Sequence, residues 1–360
     1  MSPERSVGSL NLASLVVAAA DLHPAHTAVR MESESLTYRE FVDEGARVAA
    51  GLADAGVMPG DRVLLFARNS IDYLVIYHAV VRIGAVFAPV HESFQTAELE
   101  YVLGNLKPTV IITDVELRER LGRCSNLTSS ATIVVRGESP DPADVNYAEL
   151  GRGAMPVGVV RVDPATPALI CYTSGSSATP HPVTRSHRTE MFNAESYATI
   201  WDYQQSDIAL VALPLSWVYG LSTLSQGLLH VGATIVLHRD FVARDVVREI
   251  AASHVTLFAG TMSMYVAILH QLQEHEIDLP SLRHLYRGGE PVNVSVVTEL
   301  ERRLSLRLTE AYATTEVAPL VAMDAVRDAL AQDPDALFLL QRLQRIYAQR
   351  LSLTQRLARA

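Results

Sequence analysis

Lysine is all but missing from this 360-residue chain: of its 30 fixed cations only Lys107 is one, and the others are arginines. Any role that needs an ammonium group therefore has a single candidate. A basic excess is missing too. The formal net charge of −10 excludes a nucleic-acid partner held through phosphate contacts, because there is no surplus of cations to release counterions. Cysteine is scarce. Cys124 and Cys171 are too few and too isolated for a disulfide framework or a thiolate zinc site, which points to a reducing compartment and a cytoplasmic protein. The 12 histidines are scattered singly rather than at i, i+4, and this weighs against a histidine metal site. Long apolar runs are absent as well. The stretch LNLASLVVAAA near the start is too short to span a bilayer and has no basic segment before it, so it reads as a surface helix packed on the core.

What is present describes a globular α/β protein. Hydrophobic residues make up 49% and charged residues 19%, which excludes a disordered or fibrous chain. Apolar spacing over 36–58 predicts a helix ending at the turn of Pro59, Gly60 and Asp61. A strand RVLLFA follows, then a helix over about 69–83, a strand AVFAPV, a helix ending near Leu103, and a strand TVIITD at 109–114. Strands alternating with helices indicate parallel βαβ construction. After a stretch rich in Gly, Pro and Asp at 137–166 the alternation resumes: strands ALICYT and IALVAL, a helix near 221–231, ATIVLH, a helix at 242–253, and VTLFAG. We expect two parallel-sheet α/β lobes, 1–160 and 161–322, and a C-terminal extension over 323–360. In that extension Asp333 is a candidate N-cap, with Pro334 at the first helical position. Leu337, Leu340, Leu343 and Leu351 recur at helical spacing among arginines, which predicts one amphipathic helix, either docked on the body or contacting a partner or a second copy.

The segment CYTSGSSATPHPVTRSH, 171–187, carries the most chemistry. A buried strand runs into a loop dense in hydroxyls and small residues, and a helix starts near Ser186 or Arg188. Hydroxyls and backbone N–H groups gathered after a parallel strand suit a polyphosphate, since many donors converge without bulky side chains. The spacing is not that of a Walker loop. Nor is TSGS the G-x-S-x-G of a serine hydrolase, and no Ser–His–acid set is suggested by spacing.

This stretch resembles the phosphate loop of the adenylate-forming superfamily, roughly [ST]-S-G-[ST]-T-G-x-P-K-G, with matches at Thr173, Ser174, Gly175, Ser176, Ser177 and Pro180. The resemblance recurs in order through LTYREF, GVMPGDRVLLFARNS and RIGAVFAPVHESFQTAELEYVL. It continues through PLSWVYGL at 214–221, similar to the acid-pocket motif, RGGEPV at 287–292, and EAYATTE at 310–316, similar to Y-G-x-T-E. It implies an ATP- and Mg²⁺-dependent ligase that joins a carboxylic acid to AMP, with coenzyme A or a carrier protein as a further acceptor. Thr173, Ser174, Gly175, Ser176 and Ser177 would then hold the β- and γ-phosphates. Gly289, Glu290 and Pro291 would border the adenine, and Tyr312 would lie against its ring. Thr315 would donate to the α-phosphate and Glu316 would help hold Mg²⁺. Trp217, Tyr219, Gly220 and Gly260 would shape the acid pocket.

The motifs also depart from the family pattern. Ala178 stands for the second loop glycine, His181 for the lysine, and Pro182 for the glycine after it, so charge on the phosphates is poorly compensated unless Arg185 or His187 helps. Ala313 replaces the motif glycine, at a cost of roughly 1 kcal/mol if that position needs a positive φ. Ser216 and Trp217 stand where the family has an aromatic residue and a histidine. The family continues with a small β-barrel and a mobile domain that carries a catalytic lysine, and this sequence is expected to stop before both. Three readings follow: a ligase or half-ligase completed by a separate polypeptide, a catalytically inactive homologue acting as scaffold or regulatory partner, or a truncated product whose tail is unrelated.

Overall fold

The computed structural model describes residues 11–127, 131–139, 141–173, 180–275 and 277–323, the last seven of these by backbone alone. Ser174, Gly175, Ser176 and Ser177 of the phosphate loop and the whole 324–360 tail lie outside the described residues.

Two sheets form. A short hairpin, β1 (Thr27–Met31) and β2 (Glu34–Thr37), comes first. A run of seven strands follows: β3 (Arg62–Phe66), β4 (Val86–Val90), β5 (Val110–Asp114), β6 (Thr132–Arg136), β7 (Val145–Asn146), β8 (Pro167–Thr173) and β9 (His181–Ser186). The chain then makes β10 (Ile208–Val211), β11 (Thr234–Leu237), β12 (Leu257–Gly260), β13 (His284–Arg287), β14 (Leu308–Thr314) and β15 (Val317–Met323). The seven-stranded sheet has the order β7-β6-β5-β3-β4-β8-β9, and the eight-stranded sheet β15-β14-β13-β12-β10-β11-β1-β2. All neighbours run parallel except the pairs β8–β9, β14–β15 and β1–β2. The sheets therefore do not part at residue 160. β8 and β9 join the sheet of the first half, and β1 pairs in parallel with β11, some 200 residues further on.

The sequence pattern explains the layering. Along β3, Val63 and Leu65 face the larger core, while Leu64 and Phe66 face a smaller one. Both faces are covered, as continuous apolar runs in parallel strands require. The smaller core is closed by α4 (Thr96–Leu106) and α5 (Val115–Gly122), as numbered after α1 (Ala13–Leu22), α2 (Tyr38–Asp54) and α3 (Ile71–Arg82). Helix α3 is buried nearly all round because it touches β4 of one sheet and β1 of the other. With α1, α2, α6 (His187–Ile200) and α7 (Gln226–Val231) it makes the layer between the sheets. Helices α8 (Ala243–Ala252), α9 (Met262–Glu274) and α10 (Val294–Leu304) complete the eight-stranded half. Starts are encoded locally: Thr37 and Glu40 form a capping box on α2, and the Ser186 hydroxyl accepts from Thr189 N–H at 3.2 Å to open α6. Among the described residues no helix is long and apolar enough to cross a membrane.

One polar side chain staples the two sheets together. Asn69, just beyond β3, donates to the carbonyls of Leu213 at 3.0 Å and His238 at 3.1 Å, and its Oδ1 accepts from Leu215 N–H at 2.8 Å. The turn after β10 is thereby fixed against the seven-stranded sheet.

Candidate functional site

A cavity of about 680 Å³ opens at the C-terminal ends of the parallel strands, where open α/β sheets bind their ligands. Both sheets build it. From the seven-stranded sheet come Pro89 in β4, His91, Ser93 and Phe94 after it, and Cys171, Tyr172 and Thr173 at the end of β8. From the eight-stranded sheet come Ser216, Trp217 and Tyr219 after β10, Thr261 after β12, Gly288, Gly289 and Glu290 after β13, and Ala311 and Ala313 through Glu316 on and after β14. Tyr197 of α6 and Trp201, which caps that helix, add aromatic rings to the lining. The strand order thus brings together sequence positions 89 to 316 at one mouth.

Of the residues singled out from sequence, Thr173, Trp217, Tyr219, Gly289, Glu290, Thr315 and Glu316 line this cavity. Gly289 has φ +80°, a conformation that glycine adopts without strain, so the turn depends on it. A Cβ on Gly288 would lie 2.8 Å from the Ala311 carbonyl oxygen, which is why the β13 turn and β14 can sit side by side. Glu290 is held at the start of α9: its carboxylate accepts from Ser263 N–H at 2.6 Å and Ser263 Oγ–H at 2.9 Å, where the helix dipole favours a negative charge. Tyr219 sits in a seven-residue π-helix, Tyr219–Ser225, and its hydroxyl points to the carbonyls of Gly260 and Tyr286 at 3.4 and 3.5 Å.

Other positions act differently. Gly220 and Gly260 do not line the cavity. A Cβ on Gly220 would come within 2.4 Å of the Pro214 carbonyl oxygen, so this glycine lets the π-helix close against the β10 turn and thereby places Trp217 and Tyr219. Tyr312 is 58% exposed and absent from the lining, because strand alternation turns Ala311 and Ala313 inward and Tyr312 to the opposite face. Pro291 and His181 are exposed and also outside the lining. His181 and Pro182 are strand residues, paired with Thr173 and Tyr172 on β9, the edge strand, where a proline is tolerated. Strand structure thus takes in 181–186, part of the segment expected to be loop. Ala313 has no positive φ, so the strain allowed for there does not arise. Trp217 is no core aromatic, with 45% of its surface exposed. Lys107 caps α4 and is not part of the lining.

Arg185 and His187 do not lend charge to the cavity. The Arg185 guanidinium is buried in an ion pair with the equally buried Glu190, and its Nη1 donates to the Thr315 carbonyl at 3.0 Å. It ties the end of β14 to the phosphate-loop hairpin. His187 is buried and accepts from Leu12 N–H at 3.1 Å, and burial pushes its pKa down to about 4, which keeps it neutral near pH 7. Among the described residues that line the cavity there is no arginine or lysine, and the fixed charges are the carboxylates of Glu290 and Glu316. Burial also raises the Cys171 thiol well above its ordinary range, so it lines the wall as an inert apolar group. The contacts of Asn69 and Arg185 are not legible in the sequence: each reaches a partner more than 100 residues away, for which the chain carries no local signal.

A two-sheet α/β body with a cavity between the strand ends, bearing a Gly-Gly-Glu turn and a Thr-Thr-Glu strand end, is that of the N-terminal part of an adenylate-forming ligase. The chain belongs to the AMP-binding enzyme family, whose model matches residues 16–337. It is 33% identical over 308 residues to a feruloyl-CoA synthase from Amycolatopsis sp, covering 86% of this chain and 60% of that protein. It is 28% identical over 313 residues to an indoleacetate–CoA ligase from Aromatoleum aromaticum, with 86% and 61% covered. Its fold is that of an anthranilate CoA ligase solved in complex with anthranoyl-AMP, with a TM-score of 0.83, 21% identity, and 90% and 63% of the two chains covered. The chain thus spans about 60% of the length of the curated relatives it matches.

Proposed function

We propose that this chain is the acid- and nucleotide-binding body of an enzyme that activates an aromatic carboxylic acid as its acyl-adenylate. The carboxylate oxygen attacks the α-phosphorus of ATP, a new acyl–phosphate bond forms, and the bond to the β-phosphate breaks with pyrophosphate leaving. The observation that carries the reading is one cavity lined by two chemistries: the polar Gly289, Thr315 and Glu316, and the aromatic Tyr197, Trp201 and Tyr219. Two relatives named for ferulate and indoleacetate, both aromatic acids, support the aromatic walls as the acid's. Thr315 would donate to the α-phosphate, and positioning of acid against nucleotide is the main contribution such a cleft can make. Glu316 fits the usual Mg²⁺ mode, in which one or two carboxylates and the nucleotide's own phosphates share the ion. When bound, the ion supplies charge neutralisation. Coenzyme A or a carrier protein would be the later acceptor.

The lack of arginine and lysine among the described lining residues favours dependence on further protein. A second polypeptide, or a continuation of this one, would bring the positive charge that the described walls lack. A scaffold role is the second reading, favoured by the same lining and by His181 and Pro182 in place of the family's lysine and glycine.

Acid-dependent exchange of pyrophosphate into ATP separates the two. A working site gives slow exchange with ferulate-like acids, and Thr315→Ala lowers it by about 10²-fold, the scale for losing one donor to a developing oxyanion. No exchange with any acid, alone or with a supplied partner, would leave the scaffold.

A further inference from the structure

Trp217 lines the main cavity and also a smaller neighbouring one of about 250 Å³, whose walls include Asn69, Arg239 and Phe241. Trp217 shares the boundary between them with Thr261 and Glu290, yet nearly half of its surface is exposed, so core packing alone does not fix it. Its face is covered instead by the His91 imidazole, with ring centroids 5.7 Å apart and planes 24° from parallel. The two rings come from different sheets: His91 follows β4 and Trp217 follows β10.

His91 is itself held in one orientation. Ser93 N–H donates to its Nδ1 at 3.1 Å, and Ser93 Oγ lies 2.7 Å from the same nitrogen. A backbone N–H can only donate, so Nδ1 accepts and the neutral ring carries its proton on Nε2, which faces Glu92 at 3.7 Å. The turn is pinned from behind by Arg120, whose Nη1 donates to the Phe94 carbonyl at 3.0 Å and also to that of Glu92. The ring is therefore presented before the indole meets it, which is the condition for a stack to hold its partner at little entropic cost.

We propose that His91 is a positioning residue, whose stacked ring holds Trp217 in place in the wall that the two cavities share and so sets the shape of the acid site. The stack does not depend on the proposed function. Only its consequence for ligand affinity rests on that reading.

The chain has two tryptophans, and Trp201 is fully buried, so acrylamide quenching of the intact protein reports on Trp217. His91→Asn keeps an acceptor near the Nδ1 position for Ser93 but removes the ring. His91→Phe keeps a ring and loses the Ser93 bond. The asparagine variant is expected to steepen quenching, with open positions of Trp217 favoured about 2- to 10-fold, the range an aromatic pair supplies. The phenylalanine variant is expected to restore the wild-type slope. In parallel, affinity for an aromatic acyl sulfamoyl adenosine should fall a few-fold with asparagine and recover with phenylalanine. Unchanged quenching in His91→Asn, or equal exposure of Trp217 in both variants, would overturn the proposal. A wild-type protein that binds no mimic would count against the proposed function and leave the quenching result to decide on His91.

Discussion

Replacing Arg185 with methionine is expected to lower the free energy of unfolding by about 3–5 kcal/mol, read from urea denaturation near pH 7. The reason is what remains behind. Glu190 is fully buried, and without Arg185 the side-chain hydrogen bond left to it among the described residues is that of the Tyr77 hydroxyl at 3.4 Å, too long and too weak to compensate a carboxylate. The methionine fills similar space, so packing loss is small and the uncompensated charge dominates. The double variant Arg185→Met/Glu190→Leu should recover much of the loss, because removing both ions of a buried pair is far milder than removing one. The same substitution frees the Thr315 carbonyl, and with it the end of β14 that carries Thr315 and Glu316 into the cavity. A loss below about 1 kcal/mol, as for an exposed ion pair, would show that Arg185 and Glu190 are solvated in solution.

Stability should also fall steeply on mild acidification. His78, on α3, faces α1 and α2 with its ring against Phe41, and burial pushes its pKa down to about 3, helped by the nearby Arg82 charge. His187 is lowered to about 4 by burial. In the unfolded chain both would titrate near 6.5. Above that pH both states are neutral and nothing is lost. As pH falls from about 6.5 towards 4, the unfolded chain takes up protons that the folded one refuses, and stability drops by up to about 1.4 kcal/mol per pH unit for each histidine. Between pH 7 and 5 the two together should cost about 4 kcal/mol, measured by urea denaturation at each pH. His78→Leu should remove about half of this slope. A denaturation midpoint that does not move between pH 7 and 5 would mean that these rings reach water or find a proton acceptor.

Much of this architecture is legible in the chain because parallel strands are buried on both faces and declare themselves as apolar runs. RVLLFA, TVIITD, IALVAL and VTLFAG all become strands near the expected positions, and Ser186 does open a helix. What the pattern does not hold is partner choice. Nothing in the β1 segment announces that it pairs with β11, and β9, with its two prolines' worth of interruption around Pro180 and Pro182, reads as loop although it completes a hairpin at the sheet edge. The candidate site shows the same division. RGGEPV and EAYATTE stand out by their resemblance to family motifs, and Gly289, Glu290, Thr315 and Glu316 of those segments do line the cavity. Which face of β14 meets the cavity is set by register, and there the alternation places Ala311 and Ala313 rather than Tyr312 inside. Asn69, His91 and Arg185 gain their meaning only from neighbours across the molecule.

On the proposed function, the strand-end cavity holds an acid and an adenine nucleotide side by side. Calorimetric titration with an aromatic acyl sulfamoyl adenosine, which joins both in one molecule without the triphosphate's charge, tests it most directly. Binding to the wild-type chain that is weakened about tenfold or more by Gly288→Val, whose added side chain would be driven against β14, is the expected result. Absence of binding, or equal affinity in both proteins, would contradict it.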